Sequence, residues 1–229
     1  MNEEWRPASF ITTRKGWSGS SQQRLVILAA NGVGTPRLLL NSATPRCPAG
    51  LANSSGLVGK NLMLHPWPQV FGYVDEEVDG DRGPQTVMWS KEFYETDRSR
   101  GFVRGYTLQF TRGTGPVNEA ITSMVAGRLP WGKDHHRVYR TLLYHRLLIG
   151  VACEDLPEEH NRVTLDPVLK DGHGIPAPRV DDTISENTRR MMEHGIARGQ
   201  FLAMHFPSAN ENPKGTRQYG ARYKSGTRN

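Results

Sequence analysis

The chain has 229 residues, with 29 Lys and Arg against 23 Asp and Glu, a hydrophobic fraction of 36% and a mean hydropathy of -0.59. No apolar run approaches the roughly 20 residues a bilayer span needs, and 1–6 lacks the basic-then-apolar order of a signal peptide, so the expectation is a soluble protein of unassigned compartment. The net charge of +6 is concentrated at the end, where 212–229 carries Lys214, Arg217, Arg222, Lys224 and Arg228 and no acid. Such a terminus reads as a solvated tail rather than a nucleic-acid face.

The two cysteines, Cys47 and Cys153, have no C-x-x-C spacing, and two buried free thiols are expected instead of a zinc site or disulfide framework. Ser9 to Arg14 reads as a strand, and Lys15 to Ser20 as a hairpin loop. Leu25 to Ala30 is a continuous apolar run, the pattern of a sheet strand buried on both faces. It stops at Asn31-Gly32-Val33-Gly34-Thr35-Pro36, where Thr35 is a good N-cap and Pro36 suits a first helical position. A glycine-rich helix start offers unpaired N–H groups and close backbone approach, so a cofactor's pyrophosphate or ring edge fits there. An ordinary strand-to-helix connection explains the same letters, since Arg37 stands where G-x-G-x-x-G needs its third glycine.

Cys47 to Gly59 reads as loop, and Gly56-Leu57-Val58-Gly59-Lys60 lacks the spacing of a triphosphate-binding loop. Strands are expected at Val70 to Val74, Tyr106 to Phe110 and Thr122 to Val125, and a helix at Val138 to Leu148 with His135, His136 and His145 around it. No H-E-x-x-H spacing occurs, so no metal site is assigned. Arg162 to Leu165 and Ala177 to Val180 form a hairpin around Asp171-Gly172, and Thr183-Ile184-Ser185-Glu186 is a capping box before a long helix carrying Met191, Met192, Ile196 and Leu202.

Three blocks go beyond spacing and composition. Val26 to Ser42 resembles the second signature of the glucose-methanol-choline (GMC) family of FAD-dependent oxidoreductases. Leu51 to Pro66 is similar to its V-G-x-N-L-x-x-H-P segment, and Glu154 to Pro157 with Asn161 to Pro167 resembles the substrate-domain hairpin of the gluconate and sugar dehydrogenase branch. Together the blocks fall within about residues 9 to 200.

The resemblance implies an α/β (α+β overall) fold. Residues 1–66 would be the C-terminal part of an FAD-binding domain and its flavin-proximal loop, 67–204 a substrate domain with an antiparallel sheet and flanking helices, and 205–229 an atypical basic tail. It implies FAD as cofactor, with Asn31, Gly32, Val33, Gly34, Thr35, Pro36, Asn61 and His65 near it. It further implies hydride transfer from the CH–OH group of a sugar, sugar acid or polyol, an electron acceptor left unassigned, and an additional electron-transfer subunit as partner.

The family's closing F-P-T-S…N-P segment is echoed by Phe206-Pro207-Ser208-Ala209 and Asn212-Pro213. Asn212 then matches the second catalytic position, with His205 close by but not aligned with the base. The family's initial βαβ unit with G-x-G-x-x-G has no counterpart here, which implies a family fragment with little or no turnover by itself. Turn and hairpin chemistry is expected of Asp155, Asn161 and Asp166. The contrasting expectation is a non-enzymatic module that binds an acidic partner or nucleic acid through its tail.

Overall fold

The computed structural model describes residues 7–12, 18–22, 27–74, 76–205 and 220–222, with only the backbone described for 7–12, 18–22, 73 and 220–222. The fold is mixed α/β with antiparallel sheets, and the chain divides into two compact units, one of 1–60 with 162–181 and one of 61–161 with 182–229.

In the first unit, β1 (Pro7–Thr12) and β2 (Ser18–Gln22) form the expected antiparallel hairpin, with Ser18 to Ser20, expected as loop, in β2. Leu25 and Val26 lie outside the described residues, and 27–30 is irregular and exposed, Ile27 at 80%. A doubly buried strand at 25–30 is therefore corrected: among the described residues no parallel neighbours pair with 27–30, and apolarity alone does not make a strand. Helix α1 spans Asn31–Asn41, so it starts before Thr35 and encloses Pro36. The cap is built by Asn31, which sits at φ 60° and accepts the N–H groups of Val33 and Gly34 at 2.9 Å each. Thr35 Oγ1 instead accepts the Ala30 N–H.

The second unit begins with β3 (Gln69–Tyr73) and β4 (Thr86–Ser90), then β5 (Tyr106–Arg112). Helix α2 (Pro116–Val125) replaces the strand expected at 122–125: Pro116 occupies the first turn after Gly115, and one helical turn aligns Glu119 with Ser123 in the interior. Helix α3 (His135–Tyr144) ends four residues earlier than expected, with His145 as its C-cap, and Arg146–Cys153 is the buried strand β6. The stretch from Leu142 to Val151 thus gives its first three residues to a helix and its last six to a strand, which periodicity cannot separate.

The hairpin of β7 (Arg162–Lys170) and β8 (Pro176–Asp181) belongs to the first unit and is longer than expected. It packs on α1, whose Arg37 donates to the Pro176 and Ile175 carbonyls and to Asp171 at 2.7 Å. Asp166 accepts the Val168 and Leu169 N–H groups, the turn chemistry expected of it.

Helix α4 (Glu186–His205) is capped two residues later than the expected box. Ser185 Oγ accepts the Thr188 N–H, while Thr183 is held by Asn161, which exchanges two hydrogen bonds with its backbone. Asp155, 3% exposed, receives the Thr188 hydroxyl at 2.7 Å and so fastens the start of α4. The second sheet is ordered β4-β5-β6-β3-β9, where β9 (Gly220–Arg222) is a short stretch of the basic tail paired with β3. Strand pairing is a backbone property, so a polar tail can supply it.

Helix α4 covers one face of this sheet, and Met191 and Met192 join Val70, Leu108, Phe110, Ile149 and Val151 in the core. The glycines that weaken α4 by propensity allow this packing. A Cβ on Gly195 would collide with Val151 Cγ1, and one on Gly199 would stand 3.0 Å from Val70 Cγ2.

Candidate active site

Side chains alternate across a strand, so the residues opposite the α4 face form a second surface. Along β6 these are Arg146, Leu148, Gly150 and Ala152; their partners are Thr107 and Gln109 on β5 and Gln69 and Phe71 on β3. The Arg146 end of this face is closed by a buried ion pair. Arg146 donates to both Glu119 carboxylate oxygens (2.6 and 2.5 Å), Ser123 and Thr114 hydroxyls donate to the same carboxylate, and the guanidinium lies 4.1 Å from the Phe71 ring centroid.

The other end is open. A cavity of about 660 Å³ is lined by His65, Trp67, Trp89, Tyr94, Thr107 and Gln109, with Gly105, Tyr106, Ala152 and Glu154 completing it. Its size and aromatic lining with a few polar groups suit a small polar molecule with an apolar face. Trp67 is 43% and Trp89 59% exposed, which means that both indoles border it without being consumed by packing. The run from Pro66 continues β3 beside β6: the Val151 and Cys153 N–H groups donate to the Pro68 and Pro66 carbonyls. His65 Nδ1–H donates to the Cys153 carbonyl at 3.1 Å, which fixes its tautomer and leaves Nε2 as an acceptor.

Asn61 and His65 thus lie in the second unit, Asn61 at φ 56° and His65 on the cavity wall. Asn31, Gly32, Val33, Gly34, Thr35 and Pro36 lie in the first unit at the start of α1. Their donors are partly spent, because Asn31 occupies the Val33 and Gly34 N–H groups. Gly32 is exposed and a Cβ there would meet nothing within 4 Å, so its backbone is open to a flat ring. The Val33 and Gly34 N–H groups are therefore not free to hold a pyrophosphate.

His205 closes α4; its Nδ1–H donates to the Phe201 carbonyl at 2.7 Å, its ring stacks on Phe201, and it does not line the cavity. Asn212 lies outside the described residues.

Behind the cavity, the Tyr106 hydroxyl and His194 Nδ1 are 2.8 Å apart on the α4 side, in a cluster with Phe93 and Phe102. Burial raises the Tyr106 phenol and, with Arg198 and Arg100 nearby, lowers the His194 imidazole. Cys153 is buried, which pushes its thiol up to about 12, and Cys47 is half-buried; both are free. Among the described residues no group of three or more His, Cys, Asp or Glu is placed to hold a metal, and no helix is long and apolar enough to cross a membrane.

Sequence reasoning missed Trp67, Trp89, Thr107 and Gln109. A signal was present: in Tyr106-Thr107-Leu108-Gln109-Phe110, polar residues alternate with buried ones, which marks a second, non-core face.

No family model matches the chain. It is 41% identical over 193 residues to 2-methyl-1,2-propanediol dehydrogenase of Mycolicibacterium austroafricanum, an alignment covering 83% of this chain and 35% of that protein. It is 30% identical over 164 residues to the fructose dehydrogenase large subunit of Gluconobacter japonicus, covering 72% and 30% respectively. The chain thus spans about a third of the length of the curated relatives it matches, and both relatives are dehydrogenases.

Proposed function

We propose that the chain is part of a GMC-type, FAD-dependent oxidoreductase that oxidises the CH–OH group of a sugar, sugar acid or polyol. The observation that carries this reading is the 41% identity to a diol dehydrogenase across 83% of the chain. The cavity on the uncovered sheet face supports it as the place where an alcohol binds. In this reading 1–66 contributes to the cofactor domain and 67–204 is the substrate domain, apart from the β7–β8 hairpin, which packs with the first unit.

The family pattern assigns Asn31 to Pro36 in the first unit to the flavin ring edge, and assigns Asn61 and His65 in the second unit to the cofactor as well. Bound flavin supplies the hydride acceptor. The chain's own residues bind and orient the alcohol: Trp67 and Trp89 shield its carbon skeleton, while Gln109 and Thr107 offer donors and acceptors to hydroxyls. His65 Nε2 can take a hydrogen bond from the hydroxyl being oxidised. Asn212 carries the catalytic assignment implied by the family pattern, whereas His205, stacked on Phe201 and outside the cavity lining, is not assigned the base. One relative is named a large subunit, and an electron-transfer subunit is the corresponding partner proposed for this chain.

The test is flavin retention. The protein is equilibrated with FAD, desalted, and its visible spectrum recorded. Retained flavin with a perturbed spectrum is expected, and Gly32→Val should reduce it, since the added side chain occupies the open approach. Loss of all flavin on desalting would overturn the cofactor assignment.

A further inference from the structure

One row across the sheet is unusual in composition. Trp89 on β4 pairs with Gln109 on β5, which pairs with Gly150 on β6, which pairs with Gln69 on β3. Gly150 is the one residue of β6 without a side chain, and the place of its Cβ is taken by Trp67. A Cβ built there would fall onto three consecutive indole atoms, Nε1, Cε2 and Cζ2. The indole therefore rests against the glycine through its Nε1–Cζ2 side, in the space a side chain would fill. That side of the indole is thereby spent on the sheet, and Trp67, 43% exposed, borders the cavity with the remainder.

We propose that Trp67, seated on Gly150, is a specificity-determining platform that selects a pyranose or furanose ring over an open-chain polyol or a small diol. This deepens the reading of the cavity as the alcohol site and rests on it. A sugar ring carries an apolar C–H face and a rim of hydroxyls. The exposed indole surface matches the first, and Gln109 and Thr107, two residues apart on the same strand face, match the second. An open-chain polyol must freeze several rotors to present the same face, whereas the ring is already ordered. Trp89, at the far end of the row, borders the other side of the ring.

The test uses the full chain and three probes: methyl glucopyranoside, whose ring cannot open; glucitol, its acyclic counterpart; and 2-methyl-1,2-propanediol. Affinity is read from tryptophan fluorescence, and the contacting face from saturation-transfer NMR. The glycoside is expected to bind at least about tenfold more tightly than glucitol, with strongest transfer at ring C–H protons. Trp67→Ala should remove most of this preference and Trp67→Phe should retain much of it. Gly150→Ala should act like Trp67→Ala by unseating the indole, with unchanged circular dichroism checking the fold. Glucitol binding as tightly as the glycoside, no glycoside binding at all, or an unaltered preference in Trp67→Ala would each overturn the platform. Retained flavin with no ring preference would defeat this inference and leave the oxidoreductase reading standing. Ring binding without flavin retention would do the reverse.

Discussion

Removing one partner of the Glu119–Arg146 pair should destabilise the second unit far more than removing both. Side-chain exposure is 0% for Glu119 and 4% for Arg146, so neither charge has water to fall back on. Glu119→Leu leaves a guanidinium buried over Phe71 with no counter-charge, and strands the Ser123 and Thr114 hydroxyls that had donated to the carboxylate. Breaking such a pair costs about 3 to 5 kcal/mol, which at about 2 to 4 °C per kcal/mol corresponds to a fall in Tm of about 6 to 20 °C. Arg146→Met should cost a similar amount. The double variant Glu119→Leu/Arg146→Met should recover most of the loss, because no buried charge remains. Urea denaturation followed by circular dichroism gives the energies, and amide hydrogen exchange in β5 and β6 localises them to this unit. A single-variant cost below about 1 kcal/mol, the level of an exposed ion pair, would refute the account of this network.

Gly195→Ala should destabilise by about 1 to 3 kcal/mol by forcing α4 away from Val151, despite alanine's better helix propensity; a stabilised variant in urea titration would show that the helix does not pack as described. Ser185→Ala should cost about 1 kcal/mol as a lost N-cap while Thr183→Ala leaves the helix cap intact, a contrast read from their urea midpoints. In the first unit, the Arg37 guanidinium and then the His173 and Ile175 N–H groups hold the Asp171 carboxyl down to about 2, below its ordinary 3.8. The resulting stabilisation is full above pH 4 and is lost as pH falls from about 4 to 2, so Arg37→Ala should flatten that acid limb; an unchanged acid titration would contradict the assignment.

Local signals made much of this fold legible. Asp171-Gly172 announced the β7–β8 hairpin, and the spacing of Met191, Met192, Ile196 and Leu202 announced α4. Failures arose where local letters serve a distant partner. Thr122 to Val125 is β-rich, yet Glu119 and Ser123 must share a helix face to reach Arg146. Gly195 and Gly199 weaken a helix in isolation, and only the sheet beneath explains them. The site shows the same division. His65 stood out through its motif, whereas Trp67, Trp89 and Gln109 meet only through the register of four strands, which no local pattern encodes. Asn31 was singled out for a cofactor, and its structural work as the cap of α1 was hidden because Thr35 and Pro36 gave a stronger local capping signal.

The central claim is hydride transfer from an alcohol, and a single-turnover measurement tests it most directly, since it asks for only one hydride per flavin. Flavin-loaded protein is mixed anaerobically with a candidate alcohol and the visible flavin band is followed, with carbinol-deuterated alcohol in parallel. The account predicts bleaching that depends on the alcohol and is slower with deuterium. A retained flavin whose band stays unchanged with every alcohol that binds would contradict it.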